Sequence, residues 1–275
     1  MKYGRYDTIF VLIMTAIAIG SLSRVATAAP PESVIREAEA AYKADPRPKQ
    51  YVNLIRKASQ QLRTNPIEAE RLLKEAIALE SLFVSSTDAK IELTQLYLSQ
   101  KKYRQCAELC ELLFADSDWF GGSEAPTMLA NWATANLGLG NVRKAALIAN
   151  RATAVLQTSE NRPDLPVFPE TEAMPYTPSE VKAVVALVYG IRSSRNNHTP
   201  EGYAATLGYY ESAARLAPRL GAAHFLLGKT LEYKRRYTEA RTAFEAAVRD
   251  SGNESVQRLA TKSLADLPKE SVPTP

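Results

Sequence analysis

The side chains best suited to chemistry are few. Cys106 and Cys110 enclose the stretch CAELC and are the only 2 cysteines of the 275-residue chain. At i and i+4 on a helix their Cα separation permits a bridge, but the Cβ directions would strain it. Covalent haem attachment needs two intervening residues and a following histidine, which this stretch lacks. Both thiols are therefore expected to be small buried hydrophobes. A labile disulfide, or metal or redox chemistry, is the alternative.

Elsewhere the catalytic vocabulary is thin. His198 sits in NNHT with no His, Cys or carboxylate at ligand spacing. No GxSxG, HExxH or Walker-type stretch occurs. GLG at 138–140 closes a helix pair instead of following a strand, so it is no nucleotide loop. YKRRYTEAR at 233–241 mixes bases with aromatics. Lys234, Arg235 and Arg236 fall in a turn, however, and a nucleic-acid footprint should extend over several such turns. That turn could still steer an acidic protein segment. NHT at 197–199 and NES at 253–255 are glycosylation sequons only in a eukaryotic source. These residues predict a protein that is not an enzyme, with no cofactor, no metal and no nucleic-acid partner.

What must position any site is a repeat. Residues 221–254 carry Leu227-Gly228, Leu231, Tyr237, Ala240, Phe244 and Ala247 in two apolar stripes of helical period, broken near Arg235. This unit resembles the tetratricopeptide repeat (TPR), whose pattern runs Leu–Gly, aromatic, Ala, Phe, Ala and a turn. His224 replaces the usual early tryptophan and Gly252 the closing proline. The resemblance places His224 against a neighbouring helix as a packed imidazole.

Other units follow the same template. Residues 87–120 carry Leu93, Tyr97, Tyr103, Cys106, Cys110 and Leu113. Residues 126–159 carry Trp132-Ala133, a turn at Gly140-Asn141, then Ala145, Ala149 and Ala152. Residues 50–83 hold Ala69, Leu73 and Ala76. Residues 183–220 fit with four residues inserted around NNHT, so that Gly190, Thr206, Tyr210, Ala213 and Pro218 take the repeat positions. The resemblance implies an all-α fold, a right-handed α-solenoid of about five helix pairs whose neighbours bury one continuous core.

The expected divisions are an N-terminal capping helix within 29–49, repeats one to three over 50–159, a proline-rich connector at 160–178, repeats four and five over 179–254, a C-terminal capping helix at 255–267 and a disordered tail at 268–275. The connector holds Pro163, Pro166, Pro169, Pro175 and Pro178, each lacking a backbone donor. Its Val167, Phe168, Met174 and Tyr176 suit either a strap over the helices or a loop that meets a partner or occludes the groove.

The N-terminus reads as a secretory signal over 1–28. Lys2 and Arg5 precede an apolar run from Thr8 to Leu22, and ATA at 26–28 offers small residues for cleavage between Ala28 and Ala29. An uncleaved inner-membrane anchor is the alternative. The expected mature chain has 31 basic and 29 acidic residues, too balanced to favour nucleic acid or anionic lipid. It is expected to be exported to the periplasm or beyond, with no membrane insertion after cleavage.

The resemblance also implies a concave groove lined by the first helix of each pair. Matching positions are Tyr51, Leu54, Ile91, Gln95, Leu98, Asn131, Thr134, Leu187, Ile191, Phe225, Lys229 and Tyr233. Relatives that clamp a carboxylate tail use Lys, Asn and Arg where this chain has Ile91, Gln95, Val184 and Val188. The expected partner is therefore an extended or helical segment of another protein, held by side-chain pockets and amide hydrogen bonds. The implied role is a scaffold of the bacterial envelope, assisting assembly of an envelope or secretion complex. The rival role is an accessory subunit or enzyme that uses the proline-rich loop near the groove.

Overall fold

The computed structural model describes residues 32–81, 84–115, 125–160, 177–195 and 199–268. Among them are twelve helices, and the one extended pairing is a single antiparallel bridge between Ser81 and Val84. The fold is all-α. The chain divides within its fourth helix into two compact units, residues 1–96 and 97–275. The proline-rich stretch from 161 to 176, the N-terminal 31 residues and His198 lie outside the described residues.

The first unit holds α1 (Glu32–Ala44), α2 (Arg47–Gln61), α3 (Pro66–Ala78) and most of α4 (Thr87–Ser99). The first repeat helix thus starts at Arg47, a few residues ahead of the boundary expected from sequence. α2 packs on α3, and Ala58, Ala69, Leu73 and Ala76 are fully buried. These include the three second-helix positions of the repeat pattern. Asn65 caps α3, its Oδ1 accepting from the Glu68 N–H at 3.2 Å, and Pro66 opens the helix where no donor is required.

The second unit holds α5 (Tyr103–Phe114), α6 (Ala125–Gly138), α7 (Val142–Glu160), α8 (Pro178–Ser194), α9 (Pro200–Leu216), α10 (Gly221–Tyr233), α11 (Tyr237–Asp250) and α12 (Glu254–Asp266). Within it α6 packs on α7, α8 on α9 and α10 on α11, and successive pairs meet: α5 on α6, α6 and α7 on α8, α9 on α10. α12 covers α10 and α11, burying Val256 and Ala260 as a terminal helix should. Pro178, counted with the interruption on sequence grounds, instead opens α8. Thr177 caps it in a capping box: Thr177 Oγ1 accepts from the Glu180 N–H at 3.2 Å and Glu180 Oε2 from the Thr177 N–H at 2.9 Å. Thr199 and Pro200 start α9 with a side-chain cap alone, Thr199 Oγ1 accepting from the Gly202 N–H at 3.0 Å.

In two pairs, α8 with α9 and α10 with α11, the helices approach closely because one partner has no side chain at the crossing. A Cβ on Gly228 would stand 2.6 Å from the Phe244 ring, and one on Gly190 would stand 2.4 Å from the Tyr210 ring. Each ring is nearly or wholly buried, which is worth roughly 1.5–3 kcal/mol relative to exposure. Tyr210 meets Gly190 only because of the four extra residues between α8 and α9, so the inserted repeat keeps its register. Thr206, at a position where a small apolar residue is usual, is fully buried. Its hydroxyl donates to the Gly202 carbonyl at 2.9 Å, so no polar group is stranded.

The turns between helices repeat as well. Lys101, Gly140 and Arg235 adopt φ of 57°, 80° and 59°, each at the same place in its repeat. In each, the next residue's N–H reaches back five positions: Lys102 to Tyr97 at 2.8 Å, Asn141 to Asn136 at 2.8 Å and Arg236 to Leu231 at 3.0 Å. This closes the helix end and satisfies a free carbonyl. Only Gly140 makes the turn without a Cβ penalty. Arg235→Gly and Lys101→Gly are expected each to raise the free energy of unfolding by about 0.5–1 kcal/mol, and Gly140→Ala to lower it by about 1 kcal/mol. Urea denaturation measures both, and glycine variants no more stable than the parent would contradict this reading of the turns.

Candidate partner-binding surface

In the first unit, Tyr51 and Leu54 on α2 are half-buried, Ile91 on α4 is buried and Gln95 is exposed. Tyr51 is held by its own chemistry. Its hydroxyl oxygen accepts from the Ala89 N–H at 3.2 Å, and burial pushes its pKa up to about 12, so the phenol stays protonated. Beside it, burial raises Glu92 above the ordinary carboxylate range against the pull of the Ser59 hydroxyl, which donates at 3.1 Å.

In the second unit the predicted lining separates into two groups. Leu98 and Thr134 are half-buried, and Lys229 and Tyr233 are exposed. Lys229 is paired with Glu232 at 2.6 Å, and Tyr233 lies under the Lys234 ammonium, 5.3 Å from its ring centroid. Asn131, Leu187, Ile191 and Phe225 instead face the interior, with exposures of 0%, 0%, 1% and 8%. Val184 and Val188, the places of a carboxylate clamp, are fully buried too. Phe225 packs against Phe244 with centroids 6.0 Å apart. These residues are core because α6, α8 and α10 are each covered by their own partner and by helices of a neighbouring pair, which leaves a narrower open face than the groove template assumes.

The open face of α8 is offset from the expected one. Lys182, Val185, Ala186 and Tyr189 line a cavity of about 420 Å³ together with Thr134, Leu137 and Gly138 of α6, Tyr103 of α5, and Tyr209, Ser212 and Leu216 of α9. The α8 residues are spaced i, i+3, i+4 and i+7, one stripe of a helix. The rings of Tyr189 and Tyr209 stand 5.7 Å apart at 33°. Tyr189 is anchored at its far end, where its hydroxyl donates to Asn131 Oδ1 at 2.5 Å. Burial pushes its pKa well above the usual phenol range, so it donates and does not titrate. Thr134 alone connects this cavity to the predicted lining. The tyrosines were missed because the repeat template assigns Tyr103 to a structural aromatic position and gives Tyr189 and Tyr209 no role.

The cysteines lie next to a residue that anchors this cavity's wall, since Cys106 contacts the backbone of Asn131, whose side chain holds Tyr189. Both are free thiols and fully buried, on the face of α5 that packs on α6. Cys106 Sγ donates to the Asn131 carbonyl and Cys110 Sγ to the Met128 carbonyl, each at 3.9 Å. The Cys106 contact and burial together push the Cys110 thiol well above its usual value, which removes the thiolate that reactivity requires. His224, expected in the core, is half-buried, with Nε2 hydrogen-bonded to the Pro218 carbonyl at 2.9 Å. It sits on the first turn of α10, where the chain from α9 arrives and leaves the ring partly open. Lys234, Arg235 and Arg236 are exposed in their turn, with Arg236 paired to Glu239 at 2.5 Å. Among the described residues no three His, Cys, Asp or Glu side chains converge as metal ligands would, and no helix is long and apolar enough to cross a membrane.

Native protein is expected to react with a small disulfide reagent at least ~100-fold more slowly than unfolded protein, because both thiols are buried and out of the reagent's reach. Its intact mass should not change with reductant. A gain of about 2 Da on reduction would show a bridge between the two and contradict the packing role.

No family model and no curated protein matches the chain. Among solved structures it is similar to yeast Tom70, with a TM-score of 0.36 and 18% identity over 94% of this chain and 46% of that one. The chain thus spans about half the length of that protein. It is also similar to a tetratricopeptide repeat protein from Parabacteroides merdae, with a TM-score of 0.33 and 15% identity over 78% of this chain and 99% of that one. What makes the helix pairs tetratricopeptide-like is internal: the glycine-against-aromatic crossings and the left-handed turns recur at corresponding positions of the chain's own repeats.

Proposed function

We propose that this chain is a non-enzymatic adaptor that holds a segment of another protein against its helix pairs. The observation that carries this reading is the cavity between α5, α6, α8 and α9. It combines three tyrosines, two aliphatic hydroxyl groups and one lysine on a rigid helical frame. Aromatic and hydroxyl side chains on rigid elements bind peptide well, because they offer large contact area and hydrogen bonds at little entropic cost. The buried cysteines and the half-buried histidine are each engaged in structural hydrogen bonds, which favours a binding role over a catalytic one.

The setting we propose is the bacterial envelope, in the assembly of an envelope or secretion complex. Lys2 and Arg5 before the apolar run, and the ATA stretch at 26–28, support export with cleavage after Ala28. Retention of the N-terminal segment would instead make the protein a tethered adaptor.

A photo-crosslinking residue at Ser212, which lines the cavity, is expected to capture one envelope protein in cells. The same residue at Leu147, exposed on α7 and outside the cavity lining, should not. Phe225 is unsuitable for such a test, since truncating a buried phenylalanine costs about 3–5 kcal/mol and would unfold the site. Equal capture at both positions would remove the cavity from the account. Mass spectrometry of the same purified protein should find Ala29 at the N-terminus, and an intact Met1 would favour the tethered form.

A further inference from the structure

The chemistry of the cavity narrows its occupant. This step rests on the adaptor reading above. Lys182 is the one charged residue in the lining. It is exposed and makes no ion pair among the described residues, so its charge is available at the rim. The hydroxyls of Tyr103 and Tyr209 likewise have no hydrogen-bond partner among the described residues. Tyr209 is 38% exposed, large and aromatic, and it leans on a Tyr189 ring that cannot swing away because Asn131 holds its hydroxyl. A positive rim, unfilled phenol donors and a fixed aromatic wall therefore surround a space of about 420 Å³.

A segment in the polyproline II conformation complements these features. Its carbonyls are not bonded internally and accept from phenol hydroxyls, and its prolyl rings lie flat on aromatic faces. It also arrives with little conformational entropy left to lose. A helical ligand would bring carbonyls already bonded within itself and leave the tyrosine donors unmatched. The lysine asks for a carboxylate near the prolines.

We propose that the tyrosine cavity of the second unit binds an extended, proline-containing acidic segment of a partner protein. Lys182 is its charge-reading residue and Tyr209 its ring-stacking residue.

The test uses the full exported chain and a fluorescein-labelled peptide of three prolines, a leucine and two glutamates, read by fluorescence anisotropy. Two control peptides replace the glutamates by lysine or the prolines by alanine. Saturable binding of the acidic proline peptide is expected, weakened about tenfold by either control change. Lys182→Glu and Tyr209→Ala should each weaken it about tenfold, and Lys182→Glu should bind the lysine peptide better than the parent does. Binding should fall as salt rises. Circular dichroism melts show whether each variant is folded. The two sites are surface-accessible, and a melt like the parent's is expected.

No saturation by the acidic proline peptide overturns the proposal, as does saturation indifferent to both variants. If the chain's own proline-rich stretch or a second copy fills the cavity, the intact protein will not saturate, and that also counts against it. Crosslinking at Ser212 together with a null peptide result would leave the adaptor reading standing and discard only this ligand chemistry.

Discussion

Two helix pairs of this chain cross so closely that a glycine on one helix touches a ring on the other. Where Gly228 meets Phe244 and Gly190 meets Tyr210, a bare backbone lies directly on a ring, leaving no room for a Cβ. This sets how near the helix axes come. Axis spacing in turn decides which side chains are swallowed between pairs and which remain at the surface. The buried rows on α8 (Val184, Leu187, Val188 and Ile191) follow from it. So does the position of Tyr189, whose ring stays at the cavity wall while its hydroxyl reaches inward to Asn131. The open face is what the crossing geometry leaves over.

Much of the architecture was legible in sequence because it is written in small residues and turns. Gly190 with Tyr210 and Gly228 with Phe244 can be paired by eye once a four-residue insertion is allowed. The helix ends at Gly140 and Arg235 fall where the apolar stripes break. α12 appears within a residue of its expected limits, and α1 falls inside the expected 29–49. Proline misled in one place. Pro178 looks like a breaker when its cluster is read as a unit, yet at the first position of α8 its missing donor costs nothing, and Thr177 and Glu180 mark it as a start.

The site was less legible, for a physical reason. A repeat template assigns faces to helices as though every pair had the same neighbours. Here α8 contacts α6, α7 and α9, so Leu187 and Ile191 are covered, and the free stripe rotates to Lys182, Val185, Ala186 and Tyr189. Asn131 shows the same thing from inside. It reads as a polar groove residue, but its amide oxygen is the acceptor that fixes Tyr189. The cysteines illustrate the opposite case: two residues that suggest chemistry serve as small buried thiols, hydrogen-bonded to α6.

If the ring and the missing Cβ share one space, they are coupled, and a double-mutant cycle at Gly228 and Phe244 measures that directly. Gly228→Val alone should destabilise the protein by about 3 kcal/mol, and Phe244→Ala alone by about 3–5 kcal/mol. If the two residues share one space, the double variant should lose at least about 1 kcal/mol less than the sum, because the valine enters the volume vacated by the ring. Additive losses would mean that the helices cross as they do for some other reason, and would contradict the central claim.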